Sequence, residues 1–390
     1  MTHSSQPPSS FQQTRRRLII GALLASGTAV LPYAWFQFQS RRATELWLSA
    51  QGIMDDEYSL GWMSPQGTEA QTVLSGFRGH GVVPHGSKPG HAILVGRRPG
   101  TVCLDINLYT GAIDAEIHCE PHHHLQGHAA FSQDGKHLFT SESHDETGEG
   151  QIVIRDAQTY QVLGAYSSHG IEPHEFKLMP DGNTLVIANG GMITRPEDGR
   201  TPLNLDTMDS KLVYLDLNSG QRLSEHRVQE PKASIRHLDV AADGTVAVAM
   251  QVQRAVTGHD RTVALGALHH PHSDSLVLLA DPEPVIQRMN DYMGSVAVHS
   301  GKRIAGFSSP KGNLVAFWHL DDNRPLGHYS MHDVCGITVN QAGTHFVISN
   351  SGGQIRLLNA DTLQENSSLR KTVSGMHWDN HLIAMTLPTA

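Results

Sequence analysis

The sequence predicts an all-β fold, a seven-bladed β-propeller with N-terminal strands completing the last blade. Three observations carry this. Turn glycines preceded by short polar residues recur at Gly90, Gly135, Gly182, Gly244, Gly301 and Gly343, spaced 42 to 62 residues apart. Asp-Gly pairs sit between apolar runs at Gly135, Gly182 and Gly244, a strong hairpin signal. The composition, 37 glycines and 19 prolines with 6% aromatic residues, suits a turn-rich globular protein and argues against a helical bundle.

Residues 1–42 stand apart from the rest. Thr14 leads into Arg15, Arg16 and Arg17, an apolar run over residues 18–38, and then Arg41 and Arg42. This resembles a bacterial twin-arginine (Tat) export signal with Arg15 and Arg16 as its pair, and it implies a periplasmic location. The apolar stretch is close to the roughly 20 residues a membrane span requires, and no Ala-x-Ala cleavage site follows it. Retention as an anchor in the inner membrane is therefore the alternative to cleavage, and the only expected link to a membrane. The domain division is residues 1–42 as signal or anchor and residues 43–390 as propeller.

The blades follow in order. Residues 128–135, 175–182 and 237–244 each read as a short strand closed by a tight turn, and apolar runs at 137–140, 184–188 and 245–250 form the second strands. Third strands at 151–155 and 211–215 lead through polar turns into a fourth, and four antiparallel strands make one propeller blade. Residues 191–209 and 255–272, rich in Gly, Pro and polar residues, are expected as surface insertions. The seventh copy, residues 375–386, supplies two strands. Residues 46–49 and 58–62 are expected to add the other two, which closes the ring and removes exposed sheet edges.

Without a recurrent Trp-Asp blade ending, the layout resembles propellers of the YVTN and lactonase type more than WD40 repeats. Together with the Tat-like start, Arg78-Gly79-His80-Gly81 and Glu172-Pro173-His174-Glu175-Phe176, the chain resembles the bacterial family catalogued as domain of unknown function 1513. Members are commonly encoded beside imelysin-type iron-uptake proteins and a dihaem oxidoreductase. The resemblance thus implies periplasmic iron acquisition with those proteins as partners, and it supplies no catalytic residues.

The 26 histidines direct attention to the ring axis, because imidazole binds metals. Seven or eight residues before the turn glycines stand His128, His174, His237, Met293 and Cys335. First strands line a propeller's channel, so these residues are expected to converge there with His80 or His85 of the first blade and His377 of the last. Imidazole, thioether and thiolate suit iron or copper. The competing reading is that they satisfy local backbone groups, or that strand alternation turns some into the blade interface. Arg78, Glu172 and Arg236 near the blade openings form either an anion-binding funnel or a set of salt bridges. The tracts His122-His123-His124 and His269-His270-Pro271-His272 read either as metal-binding runs or as solvated loops. Cys335 is either a reactive thiol or a buried inert one.

Several classes are disfavoured. Beyond residue 42 there are 24 basic against 38 acidic residues, a net −14, which argues against nucleic acid as a partner. The three cysteines form no Cys-x-x-Cys pair, and no Gly-x-Ser-x-Gly elbow, Gly-rich phosphate loop or His-Glu-x-x-His helix occurs. The expected function is a periplasmic binding or accessory propeller in iron or other metal acquisition. The alternative is a metal-dependent oxidoreductase or a lactonase-like hydrolase working through the central funnel. The sequence does not identify a ligand, metal or oligomeric state.

Overall fold

A computed structural model of the chain describes residues 43–52 and 57–388. The segment with Arg15 and Arg16 lies outside the described residues. Among the described residues, no helix is long and apolar enough to cross a membrane.

Seven four-stranded antiparallel sheets form the blades of the expected propeller. Six of the innermost strands are Gly79–Pro84, His123–Phe131, Pro173–Leu178, Ala233–Val240, Ser295–His299 and Val334–Val339. The next strand in each blade is almost wholly apolar and buried, as in His91–Gly96, Thr184–Asn189 and Val246–Val252. Such a strand packs between neighbouring blades on both faces, so it reads as a continuous apolar run rather than an alternating one. The outermost strands, such as Ala112–His118 and Pro325–Ser330, are largely exposed and polar. The core therefore lies between the blades, with Phe176, Leu185, Ile187 and Val213 in one such layer and Phe307, Leu314, Ala316 and Trp318 in another.

The closing blade differs in one respect from the sequence expectation. The C-terminal end contributes a single strand, the innermost Ile383–Leu387, and the N-terminal end contributes three, Thr44–Ala50, Ser59–Met63 and Gln71–Leu74. Residues 377–379 lie beside the end of the first strand through a bridge between Trp378 and Gln51, flanking backbone hydrogen bonds and the His377 amide bound to Oε1 of Gln51. They form no strand because Trp378 is buried against Trp47 and Met376 in the closing core and the chain then turns toward the axis. The insertion at 191–209 holds two short 3-10 helices, Pro196–Asp198 and Leu205–Thr207. Residues 255–272, by contrast, contain the third strand of the fourth blade, Gly266–His269, whose four residues are all buried. Its short apolar run is masked in the sequence by the histidines and proline that follow. Among the described residues, an α-helix, Glu283–Arg288, links the fourth blade to the fifth and buries Ile286.

Candidate functional site

Five of the six inner strands above carry a β-bulge where they reach the axis. Register jumps occur between Gly79 and Val82, Leu125 and Ala129, Pro173 and Glu175, Ile235 and His237, and Val334 and Ile337. A bulge breaks strict alternation and re-aims side chains. The bulges contain or adjoin His80, His128, His174 and His237. Glycine makes their close approach feasible: a Cβ on Gly127, which has φ +107°, would stand 2.5 Å from the His80 ring, and one on Gly81 would stand 2.6 Å from the Gly127 carbonyl.

The result is a packed cluster of imidazoles. His80, His128, His237 and His381 each offer one ligand nitrogen, and these lie within 4.8 Å of one another. The Nε2 atoms of His80 and His381 are 3.3 Å apart. His174 joins at the side, its ring centroid 4.7 Å from that of His237. All five rings are buried. Burial first, then neighbouring positive charge, holds each of these histidines below the ordinary imidazole range. For His128 the Glu175 carboxylate opposes the effect of burial without reversing it. The rings are therefore neutral at neutral pH, the form that binds metal.

Hydrogen bonds sort the five rings into two roles. Glu175 lies 3.1 Å from Nδ1 of His237 and 3.6 Å from Nδ1 of His128. A carboxylate on the Nδ1 side fixes the tautomer that presents Nε2 as a lone pair, the usual support behind a ligating histidine. Nε2 of His128 and Nδ1 of His80 are buried and have no hydrogen-bond partner. His174 is oriented the other way. Its Nδ1 faces a guanidinium nitrogen of Arg236 at 3.2 Å and must accept from it, so the neutral ring carries its proton on Nε2. His174 is thus a donor through Nε2, whereas the other four are the histidines whose ring nitrogens lie close enough together to hold one ion.

Two spaces flank the cluster. On one side His80, His174 and His237 border a small chamber with Arg97, Arg98, Arg200, Arg236, Tyr292 and Asn380. Glu172, buried at its rim, pairs with Arg98, accepts from Arg236 at 2.8 Å and takes the Met192 amide at 3.1 Å, which anchors the 191–209 insertion. Asp379 pairs with Arg78 at 2.8 Å and stands 3.9 Å from Arg97. Desolvation pushes Arg97 and Arg236 down to about 10, still fully cationic at neutral pH. On the other side a wider and less charged funnel runs past His128 and His381, lined by Val83, Ala130, Lys177 and Ile337.

The expected residues divide accordingly. His80, His128, His174 and His237 meet at the axis. His85 does not; its Nε2 bonds the Ala157 carbonyl and its Nδ1 caps the turn at Ser87 and Lys88. Met293 lies in the apolar core between the fourth and fifth blades, because the fifth inner strand has no bulge and follows a helix that changes the direction of entry. Cys335 is buried with its thiol donating to the Asp333 carbonyl, and burial raises it well above the ordinary thiol range. His377 bonds the Ser351 carbonyl through Nδ1. Arg78, Glu172 and Arg236 are all salt-bridged, and of the three Arg236 lines the arginine chamber. In the His tracts, His124 is paired with Asp145 at 2.8 Å and His269 bonds Tyr214 and Ser273. Sequence reasoning missed His381 and the arginines at 97, 98 and 200. Arg97-Arg98-Pro99-Gly100 was the available signal, a basic turn on the same rim as the blade openings.

A family model described as "Protein of unknown function (DUF1513)" matches residues 75–385. No curated protein matches the sequence. Among solved structures, the hydrazine synthase of Kuenenia stuttgartiensis superposes with a TM-score of 0.58 at 10% identity, over 81% of this chain and 90% of that one. At that identity the likeness is one of propeller fold.

Proposed function

The chain belongs to the DUF1513 family, and from that premise we propose that it is a metal-binding propeller whose axis holds one first-row transition ion, in an accessory role in periplasmic iron handling. The observation that carries the metal reading is the set of four buried, neutral imidazoles with ligand atoms within 4.8 Å. Nitrogens bound tetrahedrally to one ion at about 2.0–2.1 Å stand roughly 3.4 Å apart, and the His80 and His381 pair is already at 3.3 Å. The unpartnered Nε2 of His128 and the carboxylate behind His237 and His128 fit the same role. With Met293 and Cys335 elsewhere, the set is all imidazole, which suits iron, copper or zinc rather than selecting a soft cuprous ion. The iron setting is supported by the family resemblance, and the periplasmic setting by the Tat-like segment.

The arginine chamber beside the tetrad favours a second reading, a metal-dependent oxidoreductase acting on an anionic molecule. Metal titration of the chelator-stripped protein, followed by elemental analysis, tests the proposal. One ion per chain is expected for the wild type and for His270→Ala, with strong loss for His237→Ala and His381→Ala. No uptake of iron, copper or zinc by the wild type overturns it. A bound metal that changes redox state with a donor and acceptor selects the enzyme over the binding protein.

A further inference from the structure

The chamber next to the histidines holds more positive charge than its own carboxylates neutralise. Arg78, Arg97, Arg98, Arg200 and Arg236 gather around it, and the carboxylates paired with them are Glu172 and Asp379. Three positive charges are left over, with Arg97, Arg98 and Arg236 largely buried and Arg78 and Arg200 toward the solvent side. Burying like charges together opposes folding unless something of opposite sign joins them. Arg97 lines the chamber, and its Nη1 group is buried without a hydrogen-bond partner, the Asp379 carboxylate standing 3.9 Å away. Of the neutral groups at the wall, the His174 ring carries its proton on Nε2 and is a donor there, while the Tyr292 hydroxyl and the Gln251 and Asn380 amides can each donate or accept.

We propose that this chamber is an oxyanion site that takes a planar, carboxylate-type group, with Arg97 and Arg236 as its inner contacts and Arg200 as its outer one. Guanidinium forks match planar carboxylates through paired N–H bonds. The chamber has room for only about one or two water-sized groups, which admits a carboxylate head and excludes a bulky ligand from its depth. Arg200 comes from the 191–209 insertion and is exposed, so an organic acid can present its carboxylate from solvent, and a free bicarbonate ion can enter the same way. The insertion is tied to Glu172 through the Met192 amide, so its position and that of Arg236 are set by one carboxylate. The site goes beyond the metal reading and does not need it, since the charge imbalance is a property of the protein alone.

Isothermal titration of the chelator-stripped full chain with sodium bicarbonate, acetate and citrate, against sodium chloride at matched ionic strength, tests this. Saturable binding of at least one of the three is expected. Bicarbonate alone identifies the inorganic ion as the source; acetate or citrate identifies the carboxylate end of an organic acid. Arg97→Gln should weaken that binding at least tenfold, and Arg200→Gln several-fold. Because Arg200 is exposed, its variant keeps the test decisive if Arg97→Gln fails to fold. Absence of saturable binding by all three, or unchanged affinity in folded variants, overturns the proposal. A protein that binds the anion but no metal would reject the metal reading alone, and the converse would reject the anion site alone.

Discussion

Nε2 of His80 and Nε2 of His381 stand 3.3 Å apart although 301 residues separate them in the chain. The first histidine opens the first complete blade and the second immediately precedes the strand that closes the ring. Their meeting joins the two ends of the propeller at its axis.

The tetrad can be separated from its neighbours by substitution. His381→Ala should lower metal affinity by at least the ~10- to 100-fold typical of lost support around a site, while His377→Ala, four residues away and bonded to Ser351, should leave it unchanged. Metal competition with a chromophoric chelator measures both. Equal loss in the two variants would mean that the effect is one of general destabilisation.

Glu175 should act through the rings it touches. Glu175→Gln removes the carboxylate behind Nδ1 of His237 and His128, and metal affinity is expected to fall by about 10- to 100-fold with little change in unfolding temperature. Glu175 also accepts from the Leu238 amide, and a glutamine oxygen can retain that contact. The variant is therefore expected to fold, and circular dichroism checks it.

Acid should destabilise the metal-free protein early. Burial lowers the five axial histidines in the folded state, whereas in the unfolded chain they titrate near 6.5. The unfolded state then binds more protons as pH falls below that value, so stability is full above about pH 7 and declines through pH 6 and 5. Each histidine that titrates only on unfolding contributes a slope of about 1.4 kcal/mol per pH unit. Urea unfolding at pH 7.5, 6.5 and 5.5 measures it. Replacing His174 with Gln should make the decline less steep, and a flat profile would show that the rings are already protonated or solvated.

Ring closure makes a separate, purely structural prediction. Trp47 is 1% exposed and packs with Trp378 and Leu382 in the closing core. Trp47→Ala is expected to cost about 3–5 kcal/mol, read as a lower urea midpoint, and a cost under 1 kcal/mol would count against the closure described.

The thiols should be inert in the native state. Burial pushes Cys103 up to about 12 and Cys335 higher still, and the Cys119 thiol, also raised to about 12, donates to the His123 carbonyl. Iodoacetamide at pH 8 should label these residues only after unfolding, when the thiols return to their ordinary range.

The blades were legible because their signals are local. Asp-Gly turns and buried second strands recur with each blade, and counting back from the turns reached His128, His174 and His237. The same counting failed at Met293 and Cys335, since it assumes one geometry for every inner strand. The fifth strand has no bulge, and the sixth turns its cysteine to the Asp333 carbonyl. His381 belongs to no counted turn. Its place depends on the closing strand being one strand and not two, which is decided by the burial of Trp378 and is not a periodic feature. The arginine chamber was half visible for a related reason: Arg78, Glu172 and Arg236 flank blade openings, whereas Arg97, Arg98 and Arg200 come from a turn and an insertion that the repeat does not govern.

The clasp made by Ile383–Leu387 also sets an order of events during synthesis. A ribosome delivers the chain from its N-terminus, so blades one to six can begin to pack while the last segment is still in the exit tunnel. The histidine tetrad cannot assemble then, because residue 381 has not emerged and the strand that seats it has no partner. Every prematurely terminated product that stops short of residue 381 is thus an open ring with at most three of the four axial imidazoles. The axial centre is complete only on a chain that has passed that point, which makes its assembly a late check on the integrity of the finished protein.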